Sequence, residues 1–259
     1  MRTIVLVGLL ALFSSAVLAQ IPPGNAHGVS TGHIHLGVAS ADAGRAMWRD
    51  FGATELVEAR LVFIKLPGIF VMQIERDPGG PSSASTVERV TFAVRDLAAY
   101  RARLDTLGAK LLDSDRKRIL ADLPGGVRVE FVRDSRLKNP IEYRRVLLAT
   151  PDPEKLRAWY VDVFGAKPAR HDGLLSADVP GGRVDFMKVA AAPMGSKGRA
   201  IDHIGFEVDD VDAFAAKLRA RGIKLDVEPK LVASVNTKIL FFTDPEGTYI
   251  ELTQGLRAK

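Results

Sequence analysis

At 259 residues the chain has room for one large or two ordinary domains, and 47% hydrophobic with 26% charged residues describes a globular polypeptide, not a disordered one. It has no cysteine, which excludes disulfides, thiol nucleophiles and thiolate metal sites, so a metal would have to take nitrogen and oxygen ligands. The net charge is +5, but Lys and Arg are interspersed with Asp and Glu and no basic block is interleaved with aromatics, which argues against nucleic acid as a partner.

The first 19 residues read as a secretory leader. Arg2 precedes an apolar run from Ile4 to Phe13, and Val17 and Ala19 suit cleavage before Gln20. The run is short for a membrane-spanning helix. The expectation is therefore an exported protein, periplasmic or secreted, with no membrane association beyond the leader. Residues 20–30 read as a disordered mature N-terminus.

From there the chain repeats one layout four times. Each segment opens with a short strand, enters a helix capped by Ser or Asp, and stops at a glycine. The cap and stop pairs are Ser40 and Gly52, Asp96 and Gly108, Asp152 and Gly165, Asp210 and Gly222, separated by 12, 12, 13 and 12 residues, or about three helical turns each. Seven residues before each cap stand His33, Arg89, Arg145 and His203, one equivalent position in four first strands. Four residues after the glycine that opens each last strand stand Glu130, Asp185 and Glu251, while the first module has Met72 there. Gln73 and Glu75 are the nearby polar substitutes.

Four strand-helix-strand-strand-strand modules predict an α+β protein in which paired modules form curved mixed sheets around a cleft, with helices outside. The polar run ending in Asn139-Pro140 reads as a linker at 135–140, dividing residues 31–134 (modules one and two) from 141–256 (modules three and four). The loop from Ala190 to Arg199, with Pro193, Gly195 and Gly198, could fold over a site, and Lys197 and Arg199 in it could meet an anionic substrate.

The stretches Asp202-His203-Ile204-Gly205-Phe206 and Asp244-Pro245-Glu246-Gly247-Thr248-Tyr249-Ile250-Glu251-Leu252 resemble the closing module of the vicinal oxygen chelate superfamily, which contains glyoxalase I, extradiol ring-cleaving dioxygenases and bleomycin-resistance proteins. The resemblance implies a divalent metal ion held between two modules by side chains from their first and last strands. Fe(II) or Mn(II) suits two histidines and a carboxylate best, with Zn or Ni as alternatives. Arg89 and Arg145 cannot ligate a cation, because a guanidinium is permanently charged.

That asymmetry bears on how the modules pair. If sequence neighbours pair, each half has one histidine and neither makes a complete site. If module one pairs with four and two with three, His33, His203 and Glu251 converge with Gln73 or Glu75 as a fourth ligand, and Gln73 fits the spacing better. The second arrangement is preferred because it strands no ligand, and it brings Arg89 and Arg145 to Glu130 and Asp185, where ion pairs could stand in for a lost metal centre. His35 shares strand parity with His33 and is an acid–base candidate, as is Glu75. Trp48, Trp159 and Tyr160 read as core, and His27 and His171 as surface groups.

The resulting expectation is an exported, metal-dependent enzyme of glyoxalase or dioxygenase type, monomer or homodimer, acting on a small molecule with adjacent oxygens. A dioxygenase-like reaction needs only two His and one Glu; a glyoxalase-like one would need Glu75 as base. The rival is a metal-free sequestering protein of the bleomycin-resistance type.

Overall fold

The structure, a computed structural model, describes residues 21–259; the leader reading at 1–19 lies outside the described residues. The four modules are all present. Module one comprises β1 (Val29–Val38), α1 (Ala41–Asp50), β2 (Thr54–Glu58), β3 (Leu61–Leu66) and β4 (Ile69–Glu75). Module two comprises β5 (Val87–Val94), α2 (Leu97–Leu107), β6 (Lys110–Ser114), β7 (Arg118–Asp122) and β8 (Arg128–Arg133). Module three follows with β9 (Ile141–Thr150), α3 (Pro153–Phe164), β10 (Lys167–His171), β11 (Leu174–Val179) and β12 (Gly182–Lys188). Module four closes the chain with β13 (Ile201–Val208), α4 (Val211–Ala220), β14 (Leu225–Val232), β15 (Thr237–Thr243) and β16 (Tyr249–Gln254).

The helices begin where the capping chemistry places them. Ser40, Asp96, Asp152 and Asp210 each accept hydrogen bonds from backbone N–H groups of the first turn, which stabilises each start by about 1 kcal/mol. α2 and α3 end on Gly108 and Gly165 in the left-handed region, at φ 72° and 62°, where a Cβ would be strained.

Strand pairing joins module four to module one and module three to module two. One eight-stranded sheet runs β14-β15-β16-β13-β1-β4-β3-β2 and the other β10-β11-β12-β9-β5-β8-β7-β6. Each sheet closes on an antiparallel pair of opening strands, β1 with β13 and β5 with β9. The sheets thus cross the division of the chain at residues 135–140 instead of following it.

Helices lie on the face of each sheet turned away from the opening-strand residues at the repeat position, and they tie the two sheets together. Trp48 and Phe51 of α1 meet Phe92 and Phe131 of module two, and Tyr100 of α2 donates a 2.6 Å hydrogen bond to the Phe51 carbonyl. On the other side Phe164 of α3 stacks on Phe206 of β13 at 4.4 Å, and Tyr160 donates to Asp244 at 3.0 Å. Trp48 and Tyr160 are buried core groups, as their recurring helix position indicates, and Trp159 packs against the same core. Each such aromatic removed from water contributes on the order of 2–3 kcal/mol.

One expectation for the N-terminal segment is overturned. Residues 21–30 are ordered: Ile21 is fully buried with Phe63, Phe70, Val235 and Leu256, the Asn25 amide donates to the carbonyls of Phe164 and Gly165, and Val29 already belongs to β1. The apolar cluster beneath the sheet needs Ile21 to complete it, and the proline-containing sequence that follows hid that.

Candidate metal centre

The opening strands β1 and β13 run antiparallel with His35 opposite His203 and His33 opposite Gly205. Paired residues project to one side of a sheet and alternate residues share that side, so all three histidines face one way. Strand β16 lies parallel to β13, with Glu251 beside Gly205. His33 Nε2 and His203 Nε2 both lie 2.9 Å from Glu251 Oε2. One donor atom from each of His33, His35, His203 and Glu251 falls within 4.8 Å of the others. The His35 ring centroid is 4.6 Å from that of His203 and 6.3 Å from that of His33.

Gly205 is part of this arrangement. A Cβ built there would overlap the His33 ring, so the residue opposite His33 has to be glycine. His203 is oriented from behind. Its Nδ1 lies 2.6 Å from Asp202 Oδ1, and Asp202 Oδ2 accepts at 2.6 Å from both Arg76 Nη2 and the Gly198 backbone N–H. An acceptor on Nδ1 leaves Nε2 to point inward, the usual way a ligating imidazole is held.

The electrostatics suit a cation. Burial works to raise the Glu251 carboxyl, but His33 and His203 hold it well below the usual carboxylate range. Asp202 is likewise held low against its burial, by His203, Arg76 and the Gly198 N–H. His203 is lowered by burial yet raised overall by its bonds to Asp202 and Glu251. His35 is pushed down to about 3 by burial, with the charges of His203 and His33 adding to it; it is a neutral imidazole near pH 7. His35 Nε2 and His33 Nδ1 are buried without a hydrogen-bond partner. Buried, unpartnered imidazole nitrogens around a carboxylate held ionised form a nitrogen and oxygen donor set that fits a divalent transition-metal ion.

His33, His35 and Glu251 of the centre line a cavity of about 430 Å³. Its walls are mainly apolar, from Phe63, Met72, Val235, Ile239, Phe241 and Leu256, with Arg45, Arg60 and Glu75 also lining it.

Two sequence expectations change here. Gln73 pairs with Leu36, one step out of phase with His35, which pairs with Met72. Gln73 lines the same cavity as the centre, but its amide abuts Gly44 of α1, and Met72 stands at the position of the carboxylates Glu130, Asp185 and Glu251 in the other modules. Glu75 reaches the cavity as an exposed group, 3.4 Å from the Ala41 N–H. The loop from Ala190 to Arg199 does not cover the cavity. It is tied to Ser85 and Thr86 through Met194 and to Asp202 through Gly198, and Lys197 sits over the Tyr249 ring.

The second sheet repeats the plan with a different centre. Arg145 donates to Glu130 at 2.8 Å and to Asp185 at 2.8 Å, and its Nε donates to Thr91 at 3.2 Å. Arg89 lies 3.6 Å from Glu130. A buried guanidinium occupies the place of an ion between two carboxylates, as the repeat positions suggested. His171 pairs with Asp178 at 2.9 Å and His27 lies beside Lys217, both away from the centre.

Residues 143–252 match the family described as Glyoxalase/Bleomycin resistance protein/Dioxygenase superfamily. The fold resembles that of glyoxalase I from Zea mays, with a TM-score of 0.69 at 17% identity, covering 89% of this chain and 94% of that one. It also resembles a candidate dioxygenase from Bacillus subtilis subsp. subtilis str. 168, with a TM-score of 0.67 at 12% identity over 87% of this chain and 84% of that one. A Vibrio cholerae serotype O1 protein named as a probable lactoylglutathione lyase is 40% identical over 62 residues, which are 24% of this chain and 45% of that protein; the chain thus spans about half the length of this curated relative. Residues 143–252, in modules three and four, thus carry the sequence pattern of that superfamily, and the whole fold resembles that of glyoxalase I. The first sheet carries a His and Glu cluster of metal-binding composition.

Proposed function

We propose that the protein is a metal-dependent enzyme acting on a small molecule with two adjacent oxygens, with His33, His203 and Glu251 holding Fe(II) or Mn(II) between modules one and four. The observation that carries this reading is the convergence of two imidazole nitrogens on one buried carboxylate oxygen that lines a mainly apolar cavity. Bound there, the ion supplies Lewis acidity to the substrate's paired oxygens and access to O2 chemistry.

The chain's own residues do the rest. Asp202, held by Arg76 and Gly198, keeps the His203 imidazole in one orientation. The apolar walls exclude bulk water, which strengthens every charge interaction at the centre. Among the described residues Glu75 is the only cavity-lining carboxylate besides Glu251, and it takes the proton that a bound hydroxyl or activated C–H gives up. Arg45 and Arg60 offset negative charge on an incoming ligand.

A dioxygenase-type reaction is favoured over glyoxalase-type isomerisation because Met72 occupies the place of a second inner carboxylate. The leader-like residues 1–19 support an exported protein, and outside the cytoplasm glutathione adducts are scarce. All donors come from one chain, so the site is complete in a monomer and a homodimer would carry two.

The test is reconstitution of metal-depleted protein with Fe(II), Mn(II), Zn(II) or Ni(II), assayed on catechol under O2 and on the hemithioacetal of methylglyoxal and glutathione. The expected result is metal-dependent turnover, with catechol preferred, that falls at least a hundredfold in Glu251→Gln. Absence of any bound divalent ion, with cavity binding indifferent to chelators, would instead identify a sequestering protein of the bleomycin-resistance type.

A further inference from the structure

Resting on the metal reading above, we infer that His35 is a fourth protein ligand of the ion, taking over from the carboxylate that module one lacks at Met72. The two sheets make the comparison internal to the molecule. In the second sheet Glu130 pairs with Thr91 across β8 and β5, and Thr91 pairs with Arg145 across β5 and β9. In the first sheet Met72 pairs with His35 across β4 and β1, and His35 pairs with His203 across β1 and β13. Met72 therefore stands where Glu130 stands, and His35 where Thr91 stands.

In the second sheet the Thr91 position demonstrably reaches the central cation. Thr91 Oγ1 accepts from Arg145 at 3.2 Å and donates to Glu130 at 2.9 Å. The first sheet has lost the carboxylate, since a Met72 thioether is a soft, neutral donor poorly matched to Fe(II) or Mn(II). It has gained an imidazole at the position that touches the centre.

The gain is one-sided. The counterpart of His35 in module four is Gly205, which has no side chain and over which the His33 ring lies. His35 Nε2 is buried with no hydrogen-bond partner, and a His35 donor atom lies within 4.8 Å of those of His33, His203 and Glu251. A proton carrier needs a group to exchange with; this nitrogen has none, whereas a ligand needs only the ion. The centre is thus three imidazoles and one carboxylate, and His35 leaves the acid–base role to Glu75.

Electron paramagnetic resonance of metal-depleted protein loaded with Cu(II) counts coordinated nitrogens, and Mn(II) titration gives the affinity. The expected results are three nitrogens in the wild type and two in His35→Ala and His35→Gln, with Mn(II) affinity at least tenfold weaker in both variants. The double variant His35→Ala with Met72→Glu should regain affinity while keeping two nitrogens, which separates the loss of a ligand at His35 from a loss of the fold. Two nitrogens in the wild type, or unchanged Mn(II) affinity in His35→Ala, would overturn the assignment while leaving the three-ligand centre in place. A wild-type protein that binds neither Cu(II) nor Mn(II) would overturn the metal reading itself.

Discussion

Arg145 shows most plainly what a single residue does here. Its guanidinium is buried between Glu130 and Asp185. Burial opposes its charge, but the two carboxylates raise its pKa overall, so it is a permanent cation paid for by neighbouring acids. Arg145→Ala would leave Glu130 to Arg89 and Arg118 and Asp185 to Arg183, so the loss should fall below the roughly 3–5 kcal/mol of a wholly uncompensated buried charge. Thermal or denaturant unfolding should register that loss, while Mn(II) affinity of the folded variant stays unchanged because every proposed ligand lies in the other sheet. A drop in Mn(II) affinity with little change in stability would mean that the roles of the two centres have been exchanged.

At the scale of elements, the crossing of β1 and β13 sets the centre. Its register shifts between Thr31 and His33 and again between His35 and Leu36, so the two strands do not present their side chains with simple alternation. Gly205 makes room for the His33 ring, and Gly205→Ala should displace that ring and weaken Mn(II) binding at least tenfold with the fold retained. Wild-type affinity in that variant would show that His33 does not need its present place.

Much of this crossing was legible in the sequence. The fixed count of seven residues before each cap put His33 and His203 on equivalent strands, and the stranded-ligand argument pointed to modules one and four as partners. The proposed fourth ligand was less legible, because counting residues between motifs suggested Gln73, while the register of β4 on β1 sets Met72 beside His35 and the Gln73 amide lies against Gly44 of α1. The support of His203 by Asp202 was hidden for a related reason. Adjacent strand residues ordinarily point to opposite faces, and only the irregular register after His35 with the turn at Gly198 brings that carboxylate to Nδ1. The burial of Ile21 could not be read from a proline-containing segment, because its apolar neighbours Phe63, Phe70, Val235 and Leu256 are distant in sequence.

For the molecule as a whole, four copies of one module make two sheets of the same topology with opposite chemistry at their centres. One holds imidazoles and a carboxylate beside a 430 Å³ cavity; the other is closed by an arginine. Repetition supplied two equivalent places for a cation; a guanidinium fills one, and the other has the donor set of the proposed ion. The most direct measurement is the stoichiometry of Mn(II) bound by metal-depleted protein, followed by calorimetric titration. The account predicts one ion per chain, reduced to none in His203→Ala and unchanged in Arg145→Ala. Zero or two ions per wild-type chain would contradict it.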